Sequence, residues 1–141
     1  MGKTHEIDVY VRFCETDAAG HVNNVSYFMY FEEARTKFFR ELEMGDGLRD
    51  ASFNFILAST ACDYVAQAYA EQTLHVTSSV EEIGTKSFRI QHEMIDDTTD
   101  KGIAKGTATM VCFNYVEQKT VPIPDFLREN LESWLIDHPV E

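Results

Sequence analysis

Basic residues are scarce in this sequence: 12 Lys and Arg stand against 24 Asp and Glu, for a formal net charge of −12. Binding to nucleic acid or to an anionic membrane needs a basic surface, so the balance argues against both classes of partner. A small anionic ligand held by a few local cations stays compatible with it. Long apolar runs are missing too: none approaches the ~18 residues of a membrane span. The opening Met1-Gly2-Lys3-Thr4-His5-Glu6 holds no apolar stretch like a signal peptide and lacks the Ser/Thr of a myristoylation signal. Cysteine is limited to Cys14, Cys62 and Cys112. An odd number at wide spacing reads as reduced, mostly buried thiols in a cytoplasmic protein. Neither CxxC nor a tetrahedral His/Cys spacing occurs, so His75 and His92 give no metal signal and no cofactor is expected.

What is present suffices for a core. With 141 residues, 44% of them apolar and 12% aromatic, the chain fits one domain able to bury roughly two-thirds of its unfolded surface. Residues 1–141 contain no repeat, low-complexity tract or linker.

Residues 6–13 alternate, with Ile7, Val9, Val11 and Phe13 on one side, which predicts a half-buried strand. Residues 14–24 break the alternation. A helix is then expected from about Val25 to Met44, with Val25, Phe28, Phe31, Ala34, Phe38 and Leu42 on its apolar face and Ser26, Tyr30, Glu33, Lys37, Arg40 and Glu41 opposite. Asn23 or Asn24 can cap it, Glu33 and Lys37 pair at i, i+4, and Gly45 suits a left-handed stop. Four more strands follow: 53–66, apolar on both faces and therefore expected at the sheet centre; 74–82; a strand carrying Phe88, Ile90, His92 and Met94; and 103–116. Pro122 and Pro124 precede a short helix carrying Leu127, Leu131 and Trp134. This order predicts an α+β antiparallel sheet with the long helix on one face.

The break between strand and helix gathers Glu15, Asp17, His21, Asn23 and Asn24. A helix N-terminus offers free amides and about half a positive charge. A carboxylate facing it across a carbonyl group makes an arrangement suited to acyl transfer. On their own, though, Asp17 reads more readily as a turn or capping carboxylate and His21 as a loop histidine.

The run Val11-Arg12-Phe13-Cys14-Glu15-Thr16-Asp17-Ala18-Ala19-Gly20-His21-Val22-Asn23-Asn24-Val25-Ser26-Tyr27-Phe28, followed by Phe31-Glu32-Glu33-Ala34-Arg35, resembles the 4-hydroxybenzoyl-CoA thioesterase family of the hotdog fold. The match is strong over about 25 residues, and the rest agrees in element order. The resemblance implies a five-stranded antiparallel sheet wrapped around one long helix. It also implies a homodimer, often doubled to a homotetramer, with clefts at the subunit interface and an acyl-CoA substrate. The catalytic acid falls on Asp17 and the carbonyl-polarising amide on Asn24 or its neighbour. His21 and Asn23 match assisting positions of plant acyl-carrier-protein thioesterases, which keeps an acyl-carrier-protein substrate open. Glu15 reads as a structural partner of a nearby cation. Lys86 and then Arg89 are the candidate cations for CoA phosphates. Tyr27, with Phe53, Phe55 and Tyr64, could line an acyl pocket. A hotdog dehydratase would need a His/Asp or His/Glu pair in a motif absent here. A domain that binds acyl-CoA without turnover would differ only in not needing Asp17.

Overall fold

In the computed structural model, residues 3–42 and 52–136 are described. Strand β1 (His5–Tyr10) leads through a 3-10 turn (Phe13–Glu15) into helix α1 (Asn24–Glu41). Strands β2 (Asn54–Tyr64), β3 (Thr73–Ile83), β4 (Ser87–Asp96) and β5 (Gly102–Asn114) follow, then a two-residue β6 (Lys119–Thr120) and helix α2 (Asp125–Ser133). These strands pair antiparallel in the order β1-β3-β4-β5-β2, with β6 added to β5. This is the α+β hotdog arrangement that the resemblance implies, with a short sixth strand.

The helix crosses two apolar clusters. Its first half sends Tyr27, Tyr30, Phe31 and Ala34 into a cluster with Val9, Val11, Val76, Met94 and Ile103. Its second half sends Phe38, Phe39 and Leu42 against Phe55, Phe88, Met110 and the α2 residues Leu127 and Leu131. Phe31 lies nearly parallel to the His92 ring, centroids 5.1 Å apart. Behind it Gly106 supplies room: a Cβ there would stand 2.6 Å from the Phe31 ring. Gly106→Ala therefore displaces a wedged ring, and overpacking of this kind costs about 1–3 kcal/mol. Urea unfolding should show a lower midpoint; an unchanged midpoint would mean that the ring moves freely.

Several expectations need correction. The first strand ends at Tyr10, and Phe13, expected on its buried side, turns outward in the 3-10 turn at 85% exposure. The buried helix face is wider than expected: Phe31, Ala34, Phe38 and Leu42 are buried as expected, but Ser26 and Tyr30 also point inward, while Val25 is exposed. Four phenylalanines and two tyrosines between 27 and 39 leave apolar groups on nearly every side of the helix. Periodicity alone then cannot fix which side faces the sheet. Strand β2, expected at the centre, pairs only with β5 among the described residues, and Leu57 to Ala61 are exposed. Cys14, expected buried, is exposed, while Cys62 is half-buried and Cys112 buried. The helix ends at Glu41, short of the expected Met44, and the expected stop at Gly45 lies outside the described residues.

Candidate active site

The turn between β1 and α1 is built from its backbone outward. The Asp17 amide donates to His21 O at 2.8 Å and Gly20 N–H to Asp17 O at 3.0 Å, closing a tight loop. Gly20 has φ +82°, a conformation glycine reaches without the Cβ penalty. The Asp17 carboxylate turns back onto this loop: Oδ1 accepts the Ala19 amide at 2.9 Å and the His21 amide at 3.3 Å. Oδ2 accepts no bond from the described residues, so one oxygen fixes the group and the other is free.

Asn23 starts the helix. Its side-chain oxygen accepts the Val25 amide at 2.9 Å, and its carbonyl the Ser26 amide at 2.9 Å. Asn24 is the first helical residue, and its own amide has no acceptor among the described residues. The Asn24 carbonyl accepts the Tyr64 hydroxyl at 3.3 Å. A cleft of about 610 Å³ is lined by Asp17, Val22, Asn23, Asn24, Tyr27, Tyr64, Val65, Ala66 and Gln67. It joins the loop carboxylate, the helix N-terminus and the residues that leave β2. Tyr27 forms part of its floor, edge-on to Tyr64 at 5.0 Å. Burial pushes the Tyr27 hydroxyl pKa up, against a hydrogen bond with the Ala68 backbone, so it stays neutral.

Asp17, Asn23, Asn24 and Tyr27 thus come together. His21 closes the loop through its backbone, but its ring packs edge-on against Tyr69 at 5.1 Å and is not part of the cleft lining. Phe53 and Phe55 pack in the far core cluster. Lys86 sits on the β3–β4 hairpin, its carbonyl bonded by Cys112 N. Eight positions of β5 separate Cys112, opposite Phe55, from Ala104, opposite Tyr64 at the cleft. At about 3.3 Å per strand residue that is roughly 27 Å. Arg89 is held by Glu82 at 3.0 Å and Glu81 at 3.6 Å. Within one copy of the chain, neither cation stands at the cleft.

Glu15 is ligated on all sides. Burial pushes its carboxyl pKa up, but the Arg12 amide and guanidinium and the Tyr30 hydroxyl outweigh this and hold it below the usual value. The cleft's far wall, residues 65–67, escaped sequence analysis. It is joined to the turn by Val22 N–H donating to Ala68 O at 2.8 Å, a pairing across 46 residues with no local signature. Away from the cleft, Asp8, His75 and Asp97 bring ligand atoms within 4.8 Å of one another. Both His75 ring nitrogens are already bonded, to Asp8 at 2.8 Å and Glu6 at 2.9 Å.

Residues 11–131 match the thioesterase-like superfamily. Uncharacterized protein YsmA of Bacillus subtilis is 32% identical over 123 residues, covering 87% of this chain and 82% of that protein. Acyl-CoA thioesterase YbgC of Haemophilus influenzae is 27% identical over 118 residues, 82% of this chain and 85% of its own. A solved structure described as a predicted thioesterase from Bacillus stearothermophilus superposes with a TM-score of 0.87 at 29% identity, covering 97% of this chain and 100% of that one. The chain belongs to the thioesterase-like superfamily. Its fold and family make it a thioester hydrolase.

Proposed function

We propose that the protein hydrolyses an acyl-CoA thioester to the free acid and CoA, with Asp17 as the reacting carboxylate. The observation that carries this reading is the shared cleft, in which a carboxylate with one free oxygen meets the unpaired amide at the start of α1. The thioester carbonyl oxygen lies toward the Asn24 amide, which stabilises the negative charge that builds on it; one such donor is typically worth about 3 kcal/mol in rate. Asp17 Oδ2 takes a proton from water as the water oxygen bonds to the carbonyl carbon. The tetrahedral intermediate then breaks its C–S bond and expels the CoA thiolate, which takes up a proton. Alternatively Oδ2 itself attacks, giving an acyl-aspartyl anhydride that water hydrolyses. A thiolate leaves readily, so neither route needs a strong acid. His21 and Asn23 serve by fixing this turn. The CoA half of the substrate is supported by the relative named as an acyl-CoA thioesterase.

The working unit in this reading is a homodimer, or a tetramer of two such dimers, joined along the free edge of β2. Antiparallel pairing there sets the Asn54 end of one strand toward the Tyr64 end of the other. The Lys86 hairpin of the second copy then approaches the cleft that its own chain cannot reach. The exposed Val25, Met29 and Leu57 beside this edge give such a contact an apolar centre. Leu57→Asp should convert the assembly to monomers in sedimentation velocity; an unshifted dimer would place the contact elsewhere. No helix among the described residues is long and apolar enough to cross a membrane. Together with three free cysteines, this supports a cytoplasmic location.

Thiol release from acetyl-, hexanoyl-, palmitoyl- and benzoyl-CoA tests the activity. Turnover of one class names the acyl group. Binding of all four without release would instead favour a non-catalytic acyl-CoA-binding domain, and release only from acyl-carrier-protein thioesters would move the substrate there.

A further inference from the structure

Tyr30 is 3% exposed and belongs to the apolar cluster that also holds the cleft residues Val22 and Tyr27, so its hydroxyl needs a partner. Its partner is Glu15, which accepts the hydroxyl on Oε1 at 2.9 Å. The same oxygen accepts the Arg12 amide at 2.9 Å, and Oε2 accepts the Arg12 guanidinium at 3.0 and 3.2 Å. The Glu15 carbonyl accepts the Asn23 amide at 2.9 Å and the Ser26 hydroxyl at 3.0 Å. One residue thus ties together the exit of β1, the interior of α1 and the first turn of α1. Asp17 lies two residues beyond it.

We infer that Tyr30 is a positioning residue: from the second turn of the helix it clamps Glu15, and through it sets the Asp17 carboxylate opposite the Asn24 amide. The geometry explains why a tyrosine occupies a core position where phenylalanine would pack as well. Without the hydroxyl, the Glu15 carboxylate keeps only its Arg12 bonds. Arg12 is exposed and stands on the same turn, so it cannot anchor that turn to the helix. The inference rests on the hydrolase reading of the cleft.

The test uses the full chain, steady-state hydrolysis of the acyl-CoA turned over best in the four-member panel, and hydrogen exchange without substrate. Tyr30→Phe should lower kcat about tenfold, within the range that a small misplacement of reacting groups costs, and leave KM within about twofold. Glu15→Ala should do the same, and the double variant should be no worse than either alone, because both remove one clamp. Glu15→Gln, which keeps an acceptor for Tyr30 and the Arg12 amide, should recover most of the lost kcat. Amide exchange over residues 13–24 should quicken in Tyr30→Phe while that of β4 stays as in the parent. A parental kcat in Tyr30→Phe, full additivity with Glu15→Ala, or unaltered exchange over 13–24 would each overturn the inference. The hydrolase reading fails separately, if Asp17→Asn retains full turnover, and the exchange measurement still decides the clamp.

Discussion

Asp17→Asn should remove most of the turnover of the best acyl-CoA substrate while the fold and substrate affinity persist. Loss of a positioned base or nucleophile costs about 10²–10⁴-fold. The substitution keeps an oxygen to accept the Ala19 and His21 amides, so the loop should hold its shape. It replaces the free oxygen Oδ2, or the charge shared with it, by an amide that can neither take a proton nor attack. The effect should therefore fall on kcat, with KM and unfolding midpoint close to the parent. A variant that loses turnover together with stability would report a collapsed turn and no more. One that turns over at the parental rate would move the chemistry away from Asp17. Trapping in labelled water then separates the two routes: a single turnover with excess enzyme puts solvent oxygen into Asp17 only if the anhydride forms.

The second large effect concerns acid stability. His92 is 1% exposed, bonded to Ser78 Oγ through Nδ1 at 2.9 Å, and its Nε2 has no hydrogen-bond partner among the described residues. Burial, with the nearby Arg35 charge, lowers its pKa to about 3. In the unfolded chain the same imidazole titrates near its ordinary value of about 6.5. Between those two values the unfolded state binds a proton that the native state refuses, so stability falls as the pH drops below 6.5. The slope is at most about 1.4 kcal/mol per pH unit, or about 2 kcal/mol by pH 5. His75 acts in the opposite sense. Hydrogen bonds from its ring to the Asp8 and Glu6 carboxylates raise its pKa, so its contribution is full below 6.5 and is lost as the pH rises through the raised value. Urea unfolding at pH 7 and pH 5 should show the His92 penalty, and His92→Phe paired with Ser78→Ala should remove most of that difference. An equal loss in the paired variant would assign acid sensitivity to other groups.

These cases mark how far the chain could be read in advance. The order of strands and helices follows from alternation, caps and turn residues, all local, and it was legible. So was the gathering of Asp17, Asn23 and Asn24, because a strand exit and a helix start are separated by a short turn. Glu15 was legible as the structural partner of a cation, since Arg12 lies three residues away. Its second partner, Tyr30, is not legible, because apolar residues all round the helix hide which side faces inward. Strand β2 misled for a related reason. Apolar residues on both faces read as a central strand, and nothing local tells that from an edge strand with one face left exposed. The far wall of the cleft depends on residues 65–67 meeting a turn more than forty positions earlier, and nothing local encodes that meeting.

The sheet order also governs how the protein is made. β1 pairs with β3, and α1 packs on strands whose last residues lie beyond position 100. Asp17, Asn24 and Tyr30 therefore leave the ribosome on a segment with no surface to fold against. At about 5–20 residues per second, several seconds pass before β5 follows. During that interval the aromatic helix is open to solvent and to chaperones. The same interval leaves the cleft unbuilt, because neither the wall at 65–67 nor the floor that Tyr27 forms is in place until the sheet closes.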